Sequence, residues 1–260
     1  RDQASRRMRL LDGLIHVLGL TPGKGSELLA GLAVGITAYC GFYTCASRYV
    51  KESKGRAWVL TCLTATLSTT AGAVVGLDAL KNYWEPGDVG ALVLPKLNVE
   101  FWVTETPLSK FLCLNFLSFL VSDVVMGVLF YAKHFHLLEG WVHHGVYIAI
   151  LIKWYLSGLS PVFAFFSVEE LPTLLLGLGT IDPRLRTDMG FGAAFFLTRL
   201  LWHIVGVYNA CIAPKGHGAR GQAWFGVVSL LLHLHWFSQW VSKYLIGGKK
   251  KKKKKKKKEK

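Results

Sequence analysis

Seven predominantly apolar stretches follow one another along this chain, and they restrict it to a bundle of membrane-spanning helices. Each approaches the roughly 20 residues that a helix needs to cross about 30 Å of hydrocarbon. They run at about 27–47, 57–80, 110–131 and 141–157, then from Pro161 to about 179, and at 189–213 and 222–246. With 52% hydrophobic residues among 260, one all-α polytopic domain over 27–248 accommodates them better than two soluble domains. A basic segment at 1–26, whose residues 8–20 suit an interfacial amphipathic helix, precedes it, and a poly-lysine tail at 249–260 follows.

The loops orient the bundle. Arg48, Lys51, Lys54 and Arg56, between the first two stretches, belong on the cytosolic side, where short loops carry an excess of positive charge. The 81–109 loop holds Glu85, Asp88, Glu100 and Glu105 against two lysines, and Pro86, Pro95 and Pro107 discourage helix there; it fits the lumenal side. Seven spans with a cytosolic C-terminus place the turn around Lys133 in the cytosol as well, whereas Arg6, Arg7 and Arg9 pull against the lumenal N-terminus that an odd count requires. The chain starts at Arg and shows no cleavable signal pattern, which fits a truncated N-terminus.

A net charge of +15 resembles a nucleic-acid signature, but the tail from Lys249 to Lys260 supplies +10 of it and leaves the body only mildly basic, so no nucleic-acid partner is expected. Lys257 and Lys258, four and three positions from the end, form the dilysine pattern read by retrieval coats that return membrane proteins to the endoplasmic reticulum. The same run is also what translation of an adenine-rich transcript end produces. A genuine tail would attract anionic headgroups, at about 1 kcal/mol per basic residue near the surface. The five cysteines are odd in number, sit mostly in apolar stretches and show neither disulfide nor zinc spacing.

The chemistry lies in polar residues inside apolar stretches. An ionised side chain at mid-membrane costs roughly 2.5 to 3.5 kcal/mol unless it faces protein or a wet cavity. Asp123, Glu169, Glu170 and Arg199 facing lipid together would cost on the order of 10 kcal/mol, comparable to the stability of a whole domain, so they are expected to face inward. His143 and His144 open the fourth stretch, about 100° apart on a helix, so one faces a cavity while the other orients it or meets a neighbouring helix. Histidine suits proton transfer, and Asp123 or Glu170 beside it would hold its tautomer and raise its basicity. A single histidine in such a bundle usually does no more than hydrogen-bond across helices, for about 0.6 kcal/mol; the pair together with Asp123 and Glu170 points to a functional cavity.

These residues resemble the TLC-domain family, multispanning proteins that include the ceramide synthases and the translocation-associated membrane proteins. The resemblance rests on Asp123 in Val121-Ser122-Asp123-Val124, on the His143-His144 pair, on Glu169-Glu170-Leu171-Pro172, and on Phe195-Phe196-Leu197-Thr198-Arg199-Leu200, and it covers about residues 50–245. It implies a helical bundle of the endoplasmic reticulum or a related membrane, enclosing a lipid-accessible cavity fit for an acyl chain. In the ceramide synthase branch the histidine pair precedes further His and Asp residues serving N-acyl transfer from acyl-CoA to a sphingoid amine. Residues 145–168 here contain no His, Asp or Glu, which places the chain with relatives that lack the full motif and act on lipid composition or protein traffic.

The expectation is therefore a protein that binds or handles membrane lipid, with Asp123, His143, His144 and Glu170 lining its cavity. Two alternatives stand beside it. One is an acyltransferase in which a histidine of the pair acts as general base or acyl acceptor, with acyl-CoA as co-substrate and no other cofactor; the other is a cargo adaptor cycling on its dilysine tail. Arg199 and His203, four apart and so on one helix face, suit an anionic headgroup, and an internal pairing of Arg199 with Glu170 or Asp123 competes with that role. No metal site is expected, because His134, His136, His143, His144, His233 and His235 do not form the boxes of a di-iron enzyme. His233 and His235 point to nearly opposite faces and read as separate interhelical contacts, and Trp202, Trp224, Trp236 and Trp240 as interfacial anchors or packing.

Overall fold

A computed structural model describes residues 23–85 and 94–247. The arginines at positions 6, 7 and 9, the interfacial helix at 8–20, Pro86, Asp88 and the lysine tail lie outside the described residues. Within them the chain forms seven long helices: α1 Lys24–Ala46, α2 Val59–Asn82, α3 Pro107–Phe130, α4 His143–Leu156, α5 Ser160–Ile181, α6 Asp188–Ile212 and α7 Gly218–Trp240. No strand forms among the described residues, where one antiparallel bridge, Trp84 to Leu97, stands alone.

Five of these helices, α1, α2, α3, α5 and α6, are long and apolar enough to cross a membrane. The other two differ in length, α4 having 14 residues and α7 23, and each is prolonged by a widened turn at one end. Leu137–Val142 runs into α4 without a break, and Val241–Ile246 prolongs α7. Composition sets them apart, since α4 carries His143, His144 and Lys153, and α7 carries Gln222, His233, His235 and Gln239.

Start signals are plain where they occur. Thr106 caps α3, its hydroxyl accepting from the Ser109 amide while the Ser109 hydroxyl accepts from the Thr106 amide, and Pro107 takes the first helical position, where no N–H is needed. Successive helices run in opposite directions, as the contacts at each end show. At the basic end, Ser53 Oγ lies 3.0 Å from His134 Nε2 and Arg186 donates to the Tyr244 hydroxyl. At the opposite end, Asn209 accepts from the Leu97 amide at 2.7 Å and donates to the Pro95 carbonyl at 2.9 Å, pinning the long loop onto α6.

The interior is aromatic, with Phe165 stacked on Trp202 at 4.4 Å and Phe101 and Trp102 edge-on to Phe165. One polar set inside it is paired across helices: the Tyr39 hydroxyl donates to Asn115 at 2.9 Å, and Asn115 donates to Thr64, tying α1, α3 and α2 together. The outward faces are greasy. Leu29 and Val34 on α1 are 69% and 73% exposed, a surface that water would not tolerate over such lengths and lipid does. All five cysteines are free.

Close approach of α2 to α5 depends on Gly72. A Cβ there would sit 2.5 Å from Ser167 Oγ and 2.6 Å from the Val168 amide nitrogen, so any side chain forces the helices apart. Gly72→Val is expected to cost about 1–3 kcal/mol or more, the range for overpacking. The melting midpoint in detergent reads this, with Gly41→Val, whose Cβ meets nothing within 4 Å, as the unaffected control.

Candidate functional site

The first polar group joins the end of α3 to the start of α4. The widened turn at Leu137–Val142 sets the rotation of α4, and His144 enters the bundle with Nε2 3.0 Å from Asp123 Oδ2. The contact is close but poorly aligned, so it is electrostatic more than a directed hydrogen bond. Tyr131, just past the end of α3, donates its hydroxyl to Asp123 Oδ1 at 2.5 Å. Phe119 and Phe135 flank the imidazole at 6.0 and 5.4 Å between ring centres, and Asp123 and His144 are both buried. Neither ring nitrogen of His144 makes a hydrogen bond among the described residues, and Nδ1 has no charged partner either. The carboxylate favours the proton on Nε2, which leaves the Nδ1 lone pair as a base.

His143 lies elsewhere. It is exposed, with its ring 4.6 Å from that of Tyr147 and 5.7 Å from that of His144. The pair therefore divides as the 100° rotation requires, His144 inward and His143 outward.

The second group is built on a break in α5. Ser167–Glu170 winds as a tighter turn ahead of Pro172, which has no N–H to continue the ladder. Backbone carbonyls at such a break need donors when no water is near. Trp202 Nε1 donates to the Phe165 carbonyl at 2.8 Å, and Arg199 Nε donates to the Glu169 carbonyl at 2.9 Å. Arg199 Nη2 also donates to the Thr173 hydroxyl at 2.7 Å and lies 3.6 Å from Glu170 Oε1. Glu169 points the other way, its Oε1 2.8 Å from His203 Nδ1. His203 Nε2 faces the Gly226 carbonyl at 2.9 Å, and His233 Nδ1 faces the Arg199 carbonyl at 3.0 Å.

The six residues singled out from sequence thus fall into two groups. Asp123 and His144 are together, His143 is on the outside, and Glu170, Arg199 and His203 gather at the α5 break, so the four expected to line one cavity do not meet in a common one. Arg199 is engaged internally, with Glu170 as its charge partner. Tyr147, one turn on from His143, packs its ring 5.8 Å from that of Phe225 on α7. Three placements were not foreseen: Tyr131 on Asp123, Glu169 as the partner of His203, and His233, read from sequence as an interhelical contact, beside both. Ligand atoms of Glu169, His203 and His233 lie within 4.8 Å of one another, all three residues buried.

An apolar groove of about 340 Å³ opens at the basic end between α1, α2 and the end of α5, lined by Phe42, Ala46, Val50, Val59, Leu63 and Ile181. At the turn after α5, Arg184 beside Asp182 holds that carboxyl below the usual carboxylate range. Set against protein-family models, curated proteins and solved structures, the chain matches none.

Proposed function

We propose that the chain is a seven-span, TLC-like protein of the endoplasmic reticulum that binds and handles membrane lipid. The observation that carries this reading is the Asp123–His144 pair: it is buried among apolar helices, yet it leaves His144 Nδ1 without a partner. A buried polar atom left unmatched marks a site where something else completes the bonding. A lipid hydroxyl or amine supplies the missing donor, and the apolar groove at the same end suits an acyl chain. On this reading the two less apolar helices, α4 and α7, complete the count of seven, because part of their polar content is met inside the bundle, His144 by Asp123 and His233 by the Arg199 carbonyl, while on the outer face Gln239 lies 2.9 Å from His235 and His143 and Lys153 stay exposed.

The same geometry favours one alternative, N-acyl transfer from acyl-CoA to a sphingoid base. His144 Nδ1 would take the proton from the attacking amine as the new amide bond forms. The thioester C–S bond would break, and the thiolate would leave with that proton. Asp123 would steady the imidazolium between the two events. The basic loop with Arg48, Lys51, Lys54 and Arg56 sits at this end, where it would meet the donor's phosphates. Retrieval-coat contact through Lys257 and Lys258 remains part of the traffic reading and is tested by truncating the tail and following localisation.

Mass spectrometry of lipids that co-purify in detergent tests the main reading, before and after incubation with a long-chain acyl-CoA and a sphingoid base. Bound lipid without turnover is expected, with occupancy falling about tenfold in His144→Ala, the equivalent of roughly 1.4 kcal/mol. Absence of any retained lipid in the wild type would overturn it. Appearance of an N-acylated product lost in His144→Ala would establish the acyltransferase instead.

A further inference from the structure

We propose that Glu169, His203 and His233 form a binding site for one divalent transition-metal ion, Zn²⁺ fitting the donor set best, between α5, α6 and α7. The site is separate from the Asp123–His144 pair and does not depend on the lipid reading.

The bonding of the two imidazoles leads to it. His203 has oxygen acceptors at both ring nitrogens, Glu169 Oε1 at 2.8 Å from Nδ1 and the Gly226 carbonyl at 2.9 Å from Nε2. A neutral imidazole carries one N–H and so satisfies only one of them. With that proton on Nε2, the Nδ1 lone pair confronts a carboxylate oxygen, and the contact needs a positive centre, either a second proton or a metal ion. His233 repeats the arrangement, its Nδ1 facing the Arg199 carbonyl at 3.0 Å, which puts the proton there and the lone pair on Nε2. A histidine that gives its second ring N–H to a backbone carbonyl, fixing tautomer and orientation, is the usual support of a metal-bound imidazole.

The donor set and its surroundings agree. Two imidazoles and a carboxylate are the ligands of three-coordinate protein sites for zinc that leave a fourth position open, and imidazole disfavours Mg²⁺ and Ca²⁺. One ligand atom from each residue falls within 4.8 Å of the others, and all three residues are buried. Tetrahedral ligands stand about 3.4 Å apart, so small rotations that open the His203–Glu169 contact and bring His233 inward complete the site. Arg199 is close, but its charge is opposed by Glu170 at 3.6 Å, which leaves Glu169 to offset the ion. Phe166 and Phe195 wall the cluster, at 5.0 Å from His203 and 5.9 Å from His233 between ring centres.

The test uses the full chain in detergent, stripped with chelator and titrated with Zn²⁺ alone and then with Co²⁺ alone. One equivalent of Zn²⁺ per chain is expected, with the intense visible absorption of low-coordinate Co²⁺. Glu169→Gln and His233→Ala should each weaken Zn²⁺ binding at least about a hundredfold, the scale for loss of a ligand or its support, while His235→Ala, on the opposite face of α7, leaves it unchanged. Failure of the wild-type protein to bind either ion overturns the proposal, whatever the variants do, and assigns the cluster a shared proton instead. Equal binding in wild type and in correctly folded His233→Ala also overturns it.

Discussion

Replacing Arg199 with leucine is expected to lower the melting midpoint in detergent by about 10 °C or more, and to cut the yield of monodisperse protein sharply. Arg199 closes two accounts at once. Its Nε serves the Glu169 carbonyl exposed by the break in α5, and its Nη2 serves Thr173 and faces Glu170. Leucine leaves an orphaned carbonyl and an uncompensated carboxylate in surroundings without water. Breaking a buried pair from one side costs about 3–5 kcal/mol, and about 2–4 °C is lost per kcal/mol in a chain of this size. Arg199→Lys keeps a charge toward Glu170 but loses the planar fork, so it should fall between wild type and leucine. Adding Glu170→Gln to Arg199→Leu should recover the part owed to the stranded charge and not the part owed to the carbonyl. Wild-type melting in Arg199→Leu would show that the break in α5 is satisfied by other means.

The helices were legible because lipid leaves so few options. Seven apolar stretches stand in the sequence, and helices lie over all seven, five of them long and apolar enough to cross a membrane, with Pro107 and Pro161 at the starts of α3 and α5. The break in α5 was not read from the sequence, where the fifth stretch runs on through Glu169, Glu170 and Pro172 to about 179. What the apolar pattern does not carry is the register near a widened turn. One extra residue per turn shifts every later side chain by about 100° around the axis, and such turns occupy Leu137–Val142 and Phe196–Trp202, next to the histidine pair and across Arg199.

That is why the candidate residues were identified more readily than their partners. Asp123 was one of two acids offered to the histidine pair, and His144 takes it; Glu170 was the other, and it turns toward Arg199 while its neighbour Glu169 takes His203. Adjacent residues diverge, so choosing between Glu169 and Glu170, or between His143 and His144, requires knowing which way each helix is rotated. His233 stood in the sequence as an interhelical contact, as its place against the Arg199 carbonyl agrees, but its link to Glu169 and His203 forms only when α5, α6 and α7 come together. Tyr131 looked like the last apolar residue of its stretch, and only the short turn after α3 brings its hydroxyl back to Asp123.

Lys24 shows the same gap at the opposite end, and it yields the other large effect. From sequence it belongs to a basic, interfacial segment, and Glu105 to an acidic lumenal loop. The structure buries Lys24 and largely buries Glu105, with side-chain exposures of 9% and 15%, and joins them in an ion pair. Lys24 also donates to the Tyr155 carbonyl at 3.2 Å, the Ser160 hydroxyl donates to Glu105 at 2.8 Å, and Ser109 lies 3.0 Å from Ser160, so four segments converge on one pair. Lys24→Met should destabilise by about 3–5 kcal/mol, because Glu105 stays buried with its charge unmatched. Lys24→Met with Glu105→Gln should be more stable than Lys24→Met alone, since a neutral amide still accepts from Ser160 and strands no charge. Thermal unfolding of the two singles and the double closes the cycle. Additive losses would mean that the pair is solvated and the two side chains act independently. Recovery in the double would mean that the start of α1 is held to the loop before α3 by charge in a dry site, where removing one partner is worse than removing both.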